Sequence, residues 1–354
     1  MKDNINVGLI GYGMAGQVFH APMINSIPCL ELKKIRETKH DNIDLALNRY
    51  PSTTIVGESE AIFSDPDIDL VVIAASNTFH YPLAKQALLS GKHVVVDKPF
   101  TNTVNEADEL IEIAKRENKL LSVYHNRRYD SGVRTVRKIL DENILGRLVE
   151  VEIHFDRFRP NLKENAWREK DLPGSGILYD LGSHLIDQAL IFFGRPESIN
   201  ADIQIQRAGA EVDDYFQVEL FYDRLKIILK SGMLVKEAGP QTVIHGEKGS
   251  FIKYGLDVQE EALKAGQIPN EIADWGVEPE NLQGKLHLDS NGESVISRIK
   301  SEPGDYRDYY KNIYQTLSGE AVLDVTAEQA RDVIKMIELA RQSSSEGRTI
   351  LLDK

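Results

Sequence analysis

The chain predicts an α/β fold. An N-terminal doubly wound parallel sheet over residues 1–125 is followed by an α+β domain with a large mixed, mostly antiparallel sheet over residues 126–354. Three observations carry this. An apolar run, Val7-Gly8-Leu9-Ile10, ends in glycines at positions 11, 13 and 16. Apolar runs then alternate with helix-like segments as far as Tyr124, the pattern of parallel strands joined by right-handed crossovers. After Asp130, strand-like runs follow one another with few helices between, as antiparallel neighbours do. The length of 354 residues also exceeds the roughly 250–300 that one core usually serves.

The elements follow in order. Residues 5–10 form the first strand. The segment after Gly13 opens a helix, limited or bent by Pro22. Residues 30–35 alternate as a second strand, 44–49 give a short helix and 53–56 a short strand. Residues 69–75 are almost continuously apolar, as a strand buried on both faces must be. A helix over 80–90 is capped by Gly91, and 93–96 is the next strand. Ala107, Leu110, Ile111 and Ala114 make the apolar stripe of a helix over 105–118, before a strand at 120–124. Beyond lie a helix at 133–142, a long strand at 148–158, a helix at 179–193, and strands at 198–206, 215–221, 226–231, 241–245 and 250–254. Residues 259–292 are polar and irregular, and are expected at the surface. Thr326-Ala327-Glu328-Gln329 has the form of a capping box, with Ala330, Val333, Ile334 and Ile337 as the apolar face of the helix it starts.

The glycine spacing G-x-G-x-x-G occurs in ordinary turns as well. Its place between a strand and a helix favours a dinucleotide-binding turn, Gly11-Tyr12-Gly13-Met14-Ala15-Gly16. Gly11 permits the tight turn, Gly13 lets backbone approach a pyrophosphate, and Gly16 lets helix and strand pack closely. The first helical N–H groups then face the phosphates. Ligands of such sheets bind beyond the carboxyl ends of the strands, so the loops at 11–16, 36–39, 76–80, 97–100 and 125–128 are the ones that matter.

A carboxylate at the end of the second strand would bind an adenine-ribose 2′-hydroxyl and favour NAD, whereas a basic residue would accept a 2′-phosphate. Arg36, Thr38 and Lys39 point to NADP over NAD. Glu37 is the contrary signal, and solvated loop charges would look the same. Hydride transfer from an alcohol also needs a group to take the hydroxyl proton. Two stretches qualify. Asp97-Lys98-Pro99 directly follows a buried strand, where burial can lower a lysine's pKa. Asp180 and His184 stand four apart on one helix face, extended by Asp187, and a carboxylate beside an imidazole can orient and tune it. An exposed lysine and a helix start with one satisfied histidine would give the same spacings.

The net charge of −13 argues against general affinity for nucleic acid or anionic membrane. The single cysteine, Cys29, allows neither an intrachain disulfide nor a thiolate zinc cluster. No apolar run approaches the roughly 20 residues that span a bilayer, and no signal-peptide pattern opens the chain. A cytoplasmic protein is expected.

Together these motifs resemble the oxidoreductase family named for glucose–fructose oxidoreductase, inositol dehydrogenase and a rhizopine-catabolism protein. The resemblance rests on GYGMAG, the Gly91-Lys92-His93 turn leading to Asp97-Lys98-Pro99, and the Asp180–His184 helix, with Asp97 in place of the family's usual glutamate. Longer stretches are similar to its NADP-dependent scyllo-inositol dehydrogenase branch. They are residues 122–128, 154–160 (His-Phe-Asp-Arg-Phe-Arg-Pro), Trp167-Arg168-Glu169, residues 174–190, Ile244-His245-Gly246 and residues 251–255. The resemblance implies a Rossmann domain, a mixed-sheet domain whose open face supports homodimers or homotetramers, and no metal. It implies that Lys98, Asp180 and His184 are catalytic and also touch substrate. His184 would be the acid/base, Lys98 would hold the reacting oxygen and position the nicotinamide of the cofactor, and Asp180 would orient and polarise its neighbours. The Lys98–Pro99 bond is often cis in relatives. Ser76, Asn77, His80 and Asp97 would line the cofactor groove, and Asn126 would approach the nicotinamide. Arg157 and Trp167 would join the substrate pocket, although interface or core packing would equally place such residues. The expected activity is interconversion of a cyclic polyol, scyllo-inositol, and its keto form. A sugar dehydrogenase acting on an aldose or keto-sugar, and a non-catalytic dinucleotide sensor, are the alternatives.

Overall fold

The computed structural model describes residues 4–163, 166–290 and 293–352. The chain divides into two compact units. The first comprises Met1–Tyr129, Gln259–Trp275 and Asp305–Asp332, and the second Asp130–Val258, Gly276–Gly304 and Val333–Lys354.

The first unit is built on β1 (Ile5–Ile10), β2 (Leu30–Arg36), β3 (Thr54–Val56), β4 (Leu70–Ile73), β5 (His93–Asp97) and β6 (Leu121–Tyr124). They lie in the order β3-β2-β1-β4-β5-β6, and every pair is parallel. All four residues of β4 are buried, which explains its unbroken apolar sequence. The order reverses between β1 and β4, and at that switch point the strand ends leave a crevice for a ligand. Helix Val104–Arg116 starts with a complete capping box between Thr103 and Glu106.

The later segments of this unit correct one expectation. Residues 259–292 are not simply irregular surface. Gln259–Lys264 is helical, and Leu263 and Trp275 enter the first unit's core at 3% and 6% exposure. The polar residues around them hid these anchors from a reading by composition. Residues 291–292 of that stretch lie outside the described residues. Helix Arg307–Leu317, which the periodicity had not indicated, adds Tyr309, Tyr310 and Ile313 to the same core.

The second unit carries β7 (Leu148–His154), β8 (Ser198–Gln204), β9 (Tyr215–Phe221), β10 (Lys226–Gly232), β11 (Thr242–Gly246), β12 (Gly249–Lys253), β13 (Gly284–Ser290), β14 (Glu293–Ile299) and β15 (Ile350–Leu351). Their order is β14-β13-β12-β11-β7-β10-β9-β8-β15. Among the described residues only β7 and β10 pair in parallel, so the sheet is mixed and mostly antiparallel. Phe216, Val218 and Leu220 alternate with half-buried residues along β9, as do Ile227 and Leu229 along β10. One face therefore packs under helices Ser131–Asp141 and Ser183–Phe193 while the other stays partly open. The edge strand β14 is exposed at nearly every position, so no buried alternation announces it. The Thr326/Gln329 capping box forms with both reciprocal bonds at 3.2 Å. Among the described residues, no helix is long and apolar enough to cross a membrane.

Candidate active site

The glycine turn closes the end of β1, and its three glycines meet three different constraints. Gly11 has φ +96°, and a Cβ there would stand 2.6 Å from the Ala74 carbonyl oxygen at the end of β4. A Cβ on Gly16 would stand 2.3 Å from the Gly11 carbonyl oxygen. A Cβ on Gly13 would meet nothing within 4 Å, so its missing side chain leaves a space that no protein atom uses. Tyr12 is fully buried, with its ring edge-on to Tyr50, while Met14 is 54% exposed. The turn from Gly16 to His20 is a π-turn, which widens the helix start. An open cradle at Gly13, between two glycines required by packing, fits the pyrophosphate of a dinucleotide.

Glu37 follows β2, where a ribose-binding acid would stand, but its carboxylate is used internally. Oε1 accepts from the backbone N–H groups of Thr38 at 2.7 Å and Lys39 at 3.0 Å, and Oε2 accepts from Asn42 Nδ2 at 2.9 Å. Asn42 Oδ1 accepts in turn from Gln17 Nε2, which also donates to the Tyr12 carbonyl. Glu37 thereby ties the loop after β2 to the glycine turn. Burial pushes its carboxyl up, but the Lys39, Thr38 and Asn42 donors outweigh this and hold it below the usual glutamate value. Arg36 is partly exposed and donates from Nε to the Gly57 carbonyl at 2.9 Å.

At the end of β5, the Lys98–Pro99 bond is cis. Asp97 Oδ1 accepts the Lys98 N–H at 2.8 Å, and the Lys98 side chain is half-buried. His80 lies under this edge and faces no open groove, because it is fully buried. Its Nδ1 is 2.8 Å from the Pro99 carbonyl and its Nε2 3.1 Å from the Ala75 carbonyl, so it stands between the ends of β4 and β5, and as a neutral ring it donates to one of the two carbonyls. Burial lowers its pKa and favours the neutral ring. Asn77 and Asn126 are both 5% exposed, and Ser76 is half-buried.

In the second unit, Asp180 lies in a π-turn, Leu178–Gly182, that runs into helix Ser183–Phe193 carrying His184. The two groups therefore stand on consecutive turns of one element, but i→i+5 bonding replaces the regular helix that the spacing predicts. Asp180 is 25% exposed, with Arg168 Nε 3.5 Å from its Oδ1. His184 is 6% exposed, and its ring centroid lies 6.3 Å from that of Phe155. Arg157 covers the Phe155 ring at 5.6 Å. Trp167 stacks under the Arg168 guanidinium at 4.6 Å. The turn that presents them is anchored by Arg207, which is almost fully buried. Arg207 donates to Glu169 Oε2 at 2.8 Å and, from Nε, to the fully buried Asp214 at 2.8 Å. The sequence reading assigned no role to Arg168, Arg207 or His20. Arg207 and Asp214 are close in sequence, but nothing local announces that they hold Glu169.

Comparison with known proteins identifies the family. Residues 5–125 match the model of an oxidoreductase family, NAD-binding Rossmann fold, and residues 137–352 match the C-terminal alpha/beta domain of that family. The chain is 44% identical to the uncharacterized oxidoreductase YdgJ of Escherichia coli (strain K12), covering 99% of this chain and 100% of that one. It is 39% identical to the scyllo-inositol 2-dehydrogenase (NADP(+)) IolW of Bacillus subtilis (strain 168), covering 99% and 97% of the two chains. The solved structure of the oxidoreductase YvaA from Bacillus subtilis superposes with a TM-score of 0.96 at 39% identity, over 100% of each chain. Both halves of the chain are matched and its relatives align from end to end, so the chain belongs to the GFO/IDH/MocA family of oxidoreductases, which act on alcohol groups.

Proposed function

We propose that this chain is an NADP-dependent dehydrogenase that interconverts scyllo-inositol, a cyclic polyol, and its keto form. The observation that carries the cofactor choice is the engagement of Glu37. A carboxylate already accepting from Thr38, Lys39 and Asn42 has little capacity left for a ribose 2′-hydroxyl. Arg36, Thr38 and Lys39 then present a guanidinium, a hydroxyl and an ammonium suited to a 2′-phosphate. The glycine turn holds the pyrophosphate, with Ser76, Asn77 and Asn126 toward the nicotinamide side. When bound, the dinucleotide supplies the nicotinamide that exchanges a hydride with the carbinol carbon.

The remaining work falls to side chains. His184 takes the hydroxyl proton during oxidation and returns it during reduction, as an imidazole can. Lys98 hydrogen-bonds the reacting oxygen and stabilises the charge that develops there. Asp180, one turn before it, orients His184, and Arg157 and Trp167 contact the polyol. The name of the IolW relative supports the substrate, since a ring bearing a hydroxyl on every carbon calls for several donors and an aromatic or apolar face. The partly open face of the nine-stranded sheet supports a homodimer or homotetramer, and we place the protein in the cytoplasm.

The test offers scyllo-inositol, myo-inositol and glucose, each with NADP and separately with NAD, and follows the absorbance of reduced nicotinamide. Turnover of scyllo-inositol with NADP is expected. Turnover of glucose alone would replace the substrate with a sugar, and preference for NAD would refute the Glu37 argument. Tight NADPH binding without turnover of any of the three would favour the sensor reading.

A further inference from the structure

The chemistry proposed above uses Lys98 but leaves a buried chain of polar groups beside it without a role. His20 ends the π-turn Gly16–His20, and its side chain is fully buried. Its Nδ1 lies 2.7 Å from the Tyr310 hydroxyl. Its Nε2 lies 3.6 Å from Asp97 Oδ1, longer than a hydrogen bond but with the ring nitrogen facing the carboxylate. That same Oδ1 accepts the Lys98 N–H at 2.8 Å. Tyr124 of β6 packs on the imidazole with centroids 4.4 Å apart, and Tyr309 stands edge-on to Tyr124 at 4.8 Å, so the group sits in an aromatic cage.

The hydroxyls of this chain all keep their protons. Burial keeps the Tyr310 phenol protonated far above its ordinary range, as it does those of Tyr124 and Tyr309. Tyr124 donates to the Phe19 carbonyl at 3.0 Å, and the Tyr309 hydroxyl is paired with Ser122 at 2.7 Å, so neither competes for His20 Nδ1, and we take the protonated Tyr310 hydroxyl as the donor there. A neutral ring accepting at Nδ1 carries its proton on Nε2, facing the carboxylate. The other charged or titratable groups around Asp97 are Lys98 beside it and His80 from the helix after β4. Burial pushes the Asp97 carboxyl up, but His20, Lys98 and His80 together hold it below the usual aspartate value.

We propose that His20 is a positioning residue, the middle of a Tyr310–His20–Asp97 relay that fixes the Asp97 rotamer and so sets where the Lys98 side chain is presented. This inference rests on the role proposed for Lys98. A charge held by a ring that is itself held by a phenol cannot swing away when the reacting oxygen arrives, so Lys98 keeps one orientation through the reaction.

Two readouts test it. The first needs no substrate. Protein labelled with ¹⁵N-histidine is studied by NMR, and the His20 signals are assigned by their loss in His20→Gln. A ring protonated at Nε2 across roughly pH 6 to 8 is expected, with a shift toward mixed tautomers in Tyr310→Phe. Protonation at Nδ1, or no change in Tyr310→Phe, overturns the relay. The second readout is turnover. Tyr310→Phe and His20→Phe are expected to lower kcat about ten- to a hundredfold with the KM for NADP within about twofold, and His20→Gln, which keeps an amide donor, to recover part of the loss. Wild-type kcat in a folded Tyr310→Phe overturns the proposal, whether or not His20→Phe folds. If the wild-type protein turns over no polyol or sugar, the functional reading fails while the NMR result still decides the relay.

Discussion

The three glycines of the first turn should respond to alanine in three different ways. Gly16→Ala puts a methyl 2.3 Å from the Gly11 carbonyl oxygen, a backbone atom that cannot swing aside. Overpacking of this kind costs about 1–3 kcal/mol, and in a unit of this size about 2 kcal/mol lowers Tm by roughly 4–8 °C. Gly11→Ala adds the strain of φ +96° to a 2.6 Å approach to the Ala74 carbonyl oxygen, so it should cost at least as much. Gly13→Ala meets no atom within 4 Å. Its stability should therefore stay within about 0.5 kcal/mol of wild type. The same methyl would project into the space assigned to the pyrophosphate, so NADPH affinity should fall at least tenfold, equivalent to about 1.4 kcal/mol. Thermal melts without cofactor and fluorescence titration with NADPH separate the two effects. If Gly13→Ala melts as low as Gly16→Ala, or binds NADPH like the wild type, the division of labour among the glycines is wrong.

Other substitutions probe the remaining anchors. Glu37→Gln should raise the KM for NADP about tenfold, because it weakens the clamp on the Thr38 and Lys39 N–H groups, each charge-assisted bond being worth about 1.5–3 kcal/mol. The folded Glu37 carboxyl titrates below its unfolded value, so its stabilisation is present above the usual glutamate pKa and is lost as pH falls through the folded value. Denaturant midpoints of wild type and Glu37→Gln should accordingly differ at neutral pH and converge in acid. Lys253 and Glu278 form a fully buried ion pair at 2.8 Å in the second unit. Lys253→Met strands the carboxylate and should cost about 3–5 kcal/mol by chemical denaturation, with Lys253→Met/Glu278→Leu recovering a large part. Arg207→Lys loses the fork that holds Glu169 and Asp214 together, and should raise the KM for the polyol while leaving the KM for NADP unchanged in steady-state kinetics.

What was legible in the sequence was what the backbone demands. Gly11 and Gly16 are required by contacts with main-chain oxygens, and only glycine satisfies them, so the residue type itself carries the information. The buried β4 reads as an unbroken apolar run for a similar reason, since both of its faces exclude water. Side-chain chemistry was less legible, because partners far along the chain decide it. Glu37 reads as a ribose ligand by position, yet the donors around it turn it into a loop clamp. His20 reads as an ordinary helix residue, and its partner Tyr310 lies 290 positions away in a segment whose periodicity gave no sign that it belongs to the first unit. The exposed β14 failed for the opposite reason, since a strand that buries nothing leaves no pattern to read. A motif thus locates the lysine at the end of β5, but the proton that orients its neighbour is set by a phenol contributed from the far end of the chain. Single-site variants of Lys98, Asp180 and His184 would therefore test the reaction without testing what holds Lys98 in place, and Tyr310→Phe is the substitution that separates the two.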